Sequence, residues 1–348
     1  MSAQHCKPAT SAPDAHVEIG VEGYYTLRVM KADADGNPIE STAREIEFPN
    51  LITNFGMDAI GSDSQSTADH FWHSCVVGTG NTPPANTDTT LVSQVAVAAD
   101  ASVQGSGGDV TRQVATSPRW IQISRTWRFA AGTATGNLTE VGVRRGTGTP
   151  QNLFSRALIV DAGGNPTTLT VLSDEILDVT YRFRYFIPES DVTGTVVLNG
   201  VTHNFTLRPI NILAAQTATE PGWPTTFRAS NTRDGPRAGG PTGAVNSAST
   251  ANCVATIGMV ALDAALPNLT GIAERGTTDV VLPAYVAGSY TRDIVFTWGL
   301  TIGNSAGIQL AVLSTPLGSF QIGFSPAFTK LSTQQLRFTL RMTWARRP

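Results

Sequence analysis

Residues 177–186 read Leu-Asp-Val-Thr-Tyr-Arg-Phe-Arg-Tyr-Phe, and this stretch decides the class of the fold. Apolar side chains occupy every second position from residue 177 to residue 185, and most of the positions between them are polar. This period of two is typical of a β-strand with one buried face, whereas a helix would place apolar residues at i, i+3 and i+4. Because a slip of one residue would bury Arg182 and Arg184, the pattern specifies the register of the strand.

The same alternation occurs near the start of the chain. It runs through residues 25–30, stops at the turn-forming sequence Asp-Ala-Asp-Gly-Asn-Pro of residues 33–38, and resumes at Ile46 and Phe48. Two alternating runs joined by such a turn predict a β-hairpin. Helical signal is weak, and we expect one short helical turn that Asn54 would cap.

The composition favours an all-β protein. The chain has 45 Thr and 33 Gly but 3 Lys, and Thr suits pleated strands while Gly suits turns. A length of 348 residues allows for about two domains, and 41 % apolar residues provide for substantial cores. The three cysteines, Cys6, Cys75 and Cys253, form no disulfide framework, so we expect reduced thiols, with Cys75 and Cys253 packed as small apolar residues.

Charge and hydropathy exclude several kinds of partner. Charged residues make up 15 % of the chain and the formal net charge is −3, so there is no basic surface of the kind that binds nucleic acid. No apolar run reaches the roughly 18 residues of a membrane span, and residues 1–16 lack the apolar segment of a secretion signal. We therefore expect a soluble protein that binds no nucleic acid and does not insert into a membrane.

The two halves of the chain resemble each other in the order of their motifs. The matching stretches are 125–129 with 296–300, 154–157 with 324–327, and 177–183 with 336–342. Trp127 and Trp298 fall at equivalent positions in the first pair. Three matches in the same order predict a tandem duplication, with an N-terminal arm at 1–15 and two β-sandwich domains at 16–189 and 190–348.

Long loops rich in Gly, Thr and Pro separate the predicted strands. Four stretches show no periodicity: residues 61–69, 81–90, 101–118 and 231–243. Loops of this length in a compact chain usually bind something or pack against another subunit. Pro83 and Pro84 would stiffen the second of them, because proline fixes φ and has no N–H to donate.

No constellation of residues predicts an active site. His70, His73 and Cys75 lie close in sequence, but in a strand His70 points away from the other two, which spoils a three-ligand metal site. The glycine pairs complete no phosphate-binding loop, and no nucleophile elbow supports a catalytic triad. Asp174 and Glu175 are adjacent, so their carboxylates point apart rather than form a catalytic pair. We predict that the protein is not an enzyme and has no catalytic residue, metal or cofactor.

A series of short motifs in the first half follows a recognisable order. The motifs lie at residues 48–58, 76–84, 87–91, 138–143 and 153–159, before the strand that begins at Leu177. The series resembles virion proteins of tailed bacteriophages, of the tail-fibre, tail-tip or baseplate type, over about residues 17–188. The resemblance implies a non-enzymatic structural component located in the virion tail and made in the host cytoplasm. The second half lacks the sequence of residues 78–84, so its role stays open.

An alternative function is a receptor- or glycan-binding module at the tip of a tail appendage. Its partner would be a glycan or receptor on the host cell surface. Four aromatic residues would be candidates for stacking on sugars: Trp72, Trp120, Trp223 and Tyr285. Of these, Trp120 also fits a place in the core of a strand.

The structural role predicts contacts with other copies of the chain and with other tail proteins. We expect a homo-oligomer, a trimer, because appendages like those this chain resembles are commonly trimeric or ring-forming and closed symmetry satisfies every interface. The candidate interface residues are Thr82, Pro83, Pro84, Arg156, Arg182, Arg184, Arg233 and Arg237. Arg156 would span an interface as a forked donor or lie on a solvated edge. Arg182 and Arg184 would meet acidic surfaces of neighbours or remain on a solvated strand face.

Overall fold

The computed structural model describes much of both halves of the chain. The described residues are 14–61, 72–99, 109–113, 116–145, 152–186, 188–198, 200–209, 254–259, 274–275, 279–281, 283–315 and 318–347. They form 21 β-strands and one α-helix, which confirms the all-β class. Several predictions fall outside the described residues: those on residues 1–13, on Cys6, Trp223 and Cys253, and on the 231–243 loop with Arg233 and Arg237.

The strands range from 2 to 19 residues in length. In chain order they are β1 (Asp14–Ala32), β2 (Pro38–Pro49), β3 (Leu51–Ile52), β4 (Ser74–Gly78), β5 (Gln94–Ala99), β6 (Asp109–Gln113), β7 (Trp120–Phe129), β8 (Gly136–Leu138), β9 (Glu140–Arg144), β10 (Leu153–Leu158), β11 (Leu169–Val171), β12 (Glu175–Phe186), β13 (Val192–Leu198), β14 (Val201–Pro209), β15 (Val254–Gly258), β16 (Glu274–Arg275), β17 (Asp279–Val281), β18 (Thr291–Trp298), β19 (Ser305–Thr315), β20 (Gly318–Lys330) and β21 (Leu336–Arg346). The helix α1 (Asn54–Gly61) follows β3.

These strands form four sheets. The largest has eight strands: seven in the order β17-β18-β21-β1-β12-β7-β6, and β2 as a further partner of β1. A five-stranded sheet has the order β3-β10-β9-β4-β5, and a six-stranded sheet has the order β13-β14-β20-β19-β15-β16. Strands β8 and β11 form a small separate pair. One continuous cluster of buried apolar side chains includes residues of both halves of the chain.

Strand β1 is shared by the two halves. Its residues 20–31 pair antiparallel with β12 along one edge. Along the other edge, residues 14–21 run parallel to β21, and residues 24–32 pair antiparallel with β2. The first described strand of the chain therefore also pairs with the last one.

This pairing corrects the predicted boundary of the N-terminal arm. Asp14 pairs with Thr339 and Ala15 with Leu340, so the strand begins before residue 16. Ala15, Val17 and Ile19 are all buried. These alternating residues belong to the part of β1 that pairs with β21 of the second half. The apolar period of two, rather than the change in composition near residue 15, decides where the strand starts.

The strand that decides the fold class has the predicted buried face, and its sequence match β21 buries the same alternate positions. The alternating apolar residues of β12 have no exposed surface: Leu177, Val179, Tyr181, Phe183 and Tyr185. Those of β21 are likewise buried: Leu336, Phe338, Leu340, Met342 and Trp344. The predicted hairpin is also confirmed, since Tyr25 pairs with Phe48 and Leu27 with Ile46.

Two turns of the first half share one hexapeptide pattern, Asp-Ala-X-Gly-Asn-Pro, at residues 33–38 and 161–166. In the first, Asp33 Oδ1 accepts the N–H groups of Asp35 at 2.9 Å and Asn37 at 2.8 Å. In the second, Asp161 Oδ1 accepts two N–H groups in the same way, at 2.8 and 3.0 Å. These backbone hydrogen bonds lower the pKa of both aspartates. The second hexapeptide is the insert that has no match in the other half of the sequence.

Two local predictions were wrong. Thr53, not Asn54, caps α1, because Thr53 Oγ1 accepts the Gly56 N–H at 3.1 Å. Asn54 Oδ1 instead accepts a hydrogen bond from the Tyr290 hydroxyl at 3.0 Å. The stretch 101–118 was predicted as a loop but contains β6. The short sequence of β6 does not signal a strand, and its pairing with β7 places it in the sheet.

Helix α1 joins the first half to the second. Asp58 Oδ1 accepts hydrogen bonds from the Tyr285 hydroxyl and the Gly288 N–H, both at 2.6 Å. The indole N–H of Trp344 donates to the Met57 carbonyl at 2.8 Å. Each of these contacts joins residues more than two hundred positions apart, so α1 and β1 together hold the two halves against each other.

The order of strands is similar in the two halves, but the registers differ. Strand β7 pairs with β12 as β18 pairs with β21, and β9 pairs with β10 as β19 pairs with β20. However, Val141 lies opposite Ala157, whereas Val312, which matches Val141 at the offset of the first pair of stretches, lies opposite Gln321. The sequence match had placed Ala327 at the position of Ala157. The tandem duplication therefore stays a prediction, and the two halves share a sheet rather than stand apart.

Glu175, at the start of β12, is tied to β2. Arg44 donates to both carboxylate oxygens of Glu175, with Nη2 to Oε2 at 2.8 Å, and the Leu172 N–H donates at 2.8 Å. The hydrogen bonds from Arg44 outweigh the opposing effect of burial and lower the pKa of Glu175 from 4.5 to about 2.

We expect this carboxylate to make stability depend on pH in acid. Because its pKa is depressed on folding, its contribution is present above about pH 4.5 and is lost as the pH falls toward 2. Glu175→Gln should lower the free energy of unfolding at neutral pH and flatten its dependence over that interval, as measured by urea titrations at a series of pH values. Glu40→Gln, which removes an exposed partner of Arg28, is the control. An unaltered pH profile for Glu175→Gln would contradict the assignment.

Truncation of either inward face should destabilise the whole protein. Tyr181→Ala and Leu340→Ala each remove a fully buried side chain, which costs about 2–5 kcal/mol of unfolding free energy. Val286→Ala, at a site that is 68 % exposed, is the control and should change little. Because the halves share β1 and one core, we expect both substitutions to lower a single thermal transition followed by circular dichroism. Independent transitions for the two halves would refute the coupling.

Candidate functional site

Arg156 lies inside the protein, which corrects both sequence-based interpretations of it. Its side chain on β10 is 1 % exposed. The Nε and Nη2 atoms donate to Glu140 Oε2 at 3.0 and 2.9 Å, and Nη1 donates to Asp88 Oδ2 at 2.7 Å. Nη2 also donates to the main-chain carbonyl of Thr82 at 2.8 Å. The forked guanidinium therefore binds groups of its own chain rather than a neighbour.

Glu140, on the adjacent strand β9, completes this arrangement from the other side. Its side chain has no exposed surface, and its oxygens accept the N–H groups of Gly80 at 3.0 Å, Val92 at 3.1 Å and Ser93 at 2.8 Å. A Cβ added at Gly78 or Gly80 would lie 2.7 or 2.5 Å from Glu140 Oε1. The glycines of this turn are therefore required by the close approach of the carboxylate.

The side chains of Asp88, Glu140 and Arg156 form what we call the loop network, and it holds residues 79–93, the 79–93 loop. A buried ion pair is costly to desolvate unless hydrogen bonds satisfy the remaining donors and acceptors. Here three N–H groups and one carbonyl of the loop supply those bonds. These bonds join the network to the loop backbone at four points, so the network holds the loop in this conformation.

The outer surface of the 79–93 loop is exposed and nearly free of charge. Thr82 and Pro83 are exposed and Pro84 is half-buried. Residues 79–99 contain one charged side chain, Asp88, and that carboxylate is bound to Arg156. The loop thus presents a preformed, uncharged surface, while its participation in an interface stays a prediction.

Arg182 and Arg184 lie on the outer face of β12, as predicted, but both are bonded within the chain. Arg182 Nη1 donates to Glu47 at 2.7 Å. Arg184 Nε donates to Gln122 at 2.8 Å. The Arg184 guanidinium also lies over the rings of Tyr24, at 4.9 Å, and Trp120, at 4.5 Å. Both charges are therefore already partnered within the chain. The contact of Arg182 and Arg184 with neighbouring subunits stays a prediction.

The aromatic candidates for sugar stacking are engaged in other contacts. Trp72 has no exposed surface and packs edge-on against Phe154 and Tyr181. Trp120 is half-buried beneath Arg184 on the outer face of its sheet, so its expected place in a strand core was wrong. Tyr285 is stacked on Trp344 with its hydroxyl bound to Asp58. All three described rings thus make contacts within the chain, and sugar stacking stays a prediction of the alternative function.

The described residues contain no group of three or more His, Cys, Asp or Glu side chains that could hold a metal ion. Of the 69–75 motif, Trp72 and Cys75 are buried, His73 is half-buried, and His70 lies outside the described residues. Burial raises the pKa of the Cys75 thiol, which fits the predicted role of Cys75 as a small apolar core residue. As for membranes, the one described helix is too short to cross a bilayer.

A cleft of about 160 Å³ opens where β21 and β2 end on the shared edge of β1. It is lined by residues 21–24, 49–52 and 346–347. Arg346, its main cation, donates to the Ile52 carbonyl at 2.6 Å and to Asn54 at 3.0 Å. These bonds join the end of β21 to β3 and to the start of α1.

Comparison of the chain with protein-family models, with curated proteins and with solved structures finds no match.

The sequence reasoning found Arg156 but missed its two partners, Asp88 and Glu140. A usable signal exists for Glu140, because it is the single charge in the apolar stretch Leu138–Val143, just as Arg156 is the single charge in residues 153–159. Two opposite charges in two apolar neighbouring strands predict a buried pair. Asp88 lies in a polar loop and carries no such signal.

Breaking the loop network should be far more costly than breaking a surface pair. Arg156→Met leaves Glu140 buried without its cation, which costs about 3–5 kcal/mol of unfolding free energy. Arg28→Met removes an exposed pair with Glu40, which is worth about 0–1 kcal/mol. Guanidinium titrations of the two variants give the comparison, and hydrogen exchange should show lost protection at Gly80, Val92 and Ser93 in Arg156→Met alone. Equal costs would contradict the structural role of the network.

Proposed function

We propose that this chain is a non-enzymatic structural component of a bacteriophage tail, of the tail-fibre, tail-tip or baseplate type. The assignment to a virion comes from the order of motifs in the first half. The observation that carries the structural role is the 79–93 loop, an exposed and uncharged surface held in one shape by the buried loop network. Such a surface suits repeated contact with identical partners better than it suits catalysis.

The way the two halves are joined supports this proposal. A tail component transmits force between its neighbours, so its parts should not move independently. Strand β1 is hydrogen-bonded to strands of both halves, and α1 is bonded to Tyr285, Tyr290 and Trp344 of the second half. A preformed surface on a rigid body loses little conformational entropy on association.

The proposed partners are other copies of the chain, as a homo-oligomer for which a trimer is our expectation, and other proteins of the tail. The alternative is a module that binds a host receptor or glycan, and its described candidates Trp72, Trp120 and Tyr285 each make contacts within the chain. Binding to a glycan array would support that alternative over the structural role.

Two measurements test the proposal. Antibodies against the purified chain should label the tail in electron micrographs of phage particles whose genome encodes it, and light scattering should give a mass of more than one chain at micromolar concentration. A version without residues 1–13 tests whether the arm contributes to the contact between subunits. This truncation leaves intact the pairing of Asp14 and Ala15 with β21. Unlabelled particles together with a monodisperse monomer would overturn the proposal.

A further inference from the structure

The cleft at the end of β21 brings two arginines beside the edge of β1. Arg346 uses Nε and Nη2 to bond its own chain, and its Nη1 has no hydrogen-bond partner among the described residues. The Arg347 guanidinium lies 3.7 Å over the ring of Phe186, and no described residue accepts a hydrogen bond from it. A guanidinium stacked on a ring keeps the N–H groups at its edge available for a carboxylate.

The main chain of β1 adds a donor at the same place. The Gly23 carbonyl accepts the Asn50 N–H at 3.1 Å. The residues of a regular hydrogen-bonded pair exchange both main-chain bonds, but the described residues show no bond from the Gly23 N–H back to Asn50. This N–H therefore faces the gap between the pairing of β1 with β21 and its pairing with β2. Glycine is required here, because an added Cβ would lie 2.2 Å from Asn50 Oδ1.

The carboxylates near the cleft are already bonded to other groups. Glu22 lines the cleft but accepts a hydrogen bond from Arg184 at 3.4 Å. Glu189, which is close enough to Arg347 for its pKa to be lowered by that charge among other causes, accepts the Arg119 N–H at 2.8 Å. The cleft therefore presents hydrogen-bond donors and positive charge, in a chain whose formal net charge is −3.

The size of the cleft limits what it can hold. Its volume of about 160 Å³ corresponds to roughly five water molecules at about 30 Å³ each. Sites for cofactors and drug-sized ligands usually enclose about 300–1,000 Å³. The cleft is therefore suited to a single side chain rather than to a nucleotide or a sugar chain.

We propose that this cleft binds the carboxylate of an aspartate or glutamate side chain that a partner protein presents. The carboxylate accepts hydrogen bonds from the Gly23 N–H and from the Arg347 guanidinium, and Arg346 places a second positive charge beside it. Hydrogen bonds between ionised groups are roughly twice as strong as those between neutral groups. The affinity for a carboxylate follows from the cleft alone, whereas the choice of a protein as the partner rests on the proposed function.

The test follows the main-chain amide of Gly23 by nuclear magnetic resonance in the full chain. Glu22 and Gly23 form the single Glu-Gly pair of the sequence, so labelling with carbon-13 glutamate and nitrogen-15 glycine isolates this amide signal. The capped peptide Ac-Gly-Glu-Gly-NH2 should shift the signal in a saturable way. Ac-Gly-Gln-Gly-NH2 has nearly the same shape without the charge and should leave the signal in place.

Two variants test the role of the arginine. Arg347→Gln should raise the dissociation constant of the glutamate peptide by about tenfold or more, because it removes the charge-assisted hydrogen bonds. Arg337→Gln, at an exposed arginine of β21, is the matched control and should leave that constant unchanged. Circular dichroism confirms that both variants are folded.

The outcomes separate the site from its partner and from the proposed function. Equal shifts from the two peptides, no shift from either, or unchanged affinity in Arg347→Gln would overturn the carboxylate site. Glucuronate is the probe for an acidic sugar, and tighter binding of glucuronate than of the glutamate peptide would overturn the choice of a protein partner. Unlabelled tails with intact binding of the peptide would overturn the proposed function alone.

Discussion

The pairing of β1 with strands from both ends of the chain is the constraint on which the rest of this structure depends. One edge of β1 is bonded to β12 for twelve residues, and the other edge is divided between β21 and β2. Because hydrogen bonds along a strand form cooperatively with the packing of its two faces, neither half can complete its sheet without this strand. Two domains that the sequence places end to end thus share a sheet and a core.

Helix α1 adds a second link that is polar rather than apolar. Its Asp58 carboxylate and its Met57 carbonyl accept hydrogen bonds from the second half. The stacked rings of Tyr285 and Trp344 pack beside these bonds. Directional hydrogen bonds of this kind fix the relative orientation of the halves, while the shared strand fixes their distance.

The loop network shows how a buried ion pair can fix the conformation of a loop more than it raises the stability of the protein. Replacing a buried ion pair with apolar residues often leaves stability unchanged or raises it, so its presence calls for another reason. Here the pair lies beneath a loop whose one buried apolar side chain is Leu91. Glu140 and Arg156 bond the loop backbone directly, which gives an exposed segment a defined surface. That surface leads directly into β5.

The period of two in residues 177–185 and in β21 determined the class of the fold and the buried face of both strands, because alternation depends only on neighbours in sequence. The hairpin turn at 33–38 could be predicted for the same reason, since Asp33 bonds groups within four residues of itself. Asp88 as a partner of Arg156 could not, nor could the parallel pairing of β1 with β21. Asp88 lies 68 positions from Arg156, and His16 pairs with Arg341 at the far end of the chain. Contacts over such separations are set by the way the sheets come together, and only the tertiary structure decides which charges become buried and which edges remain open.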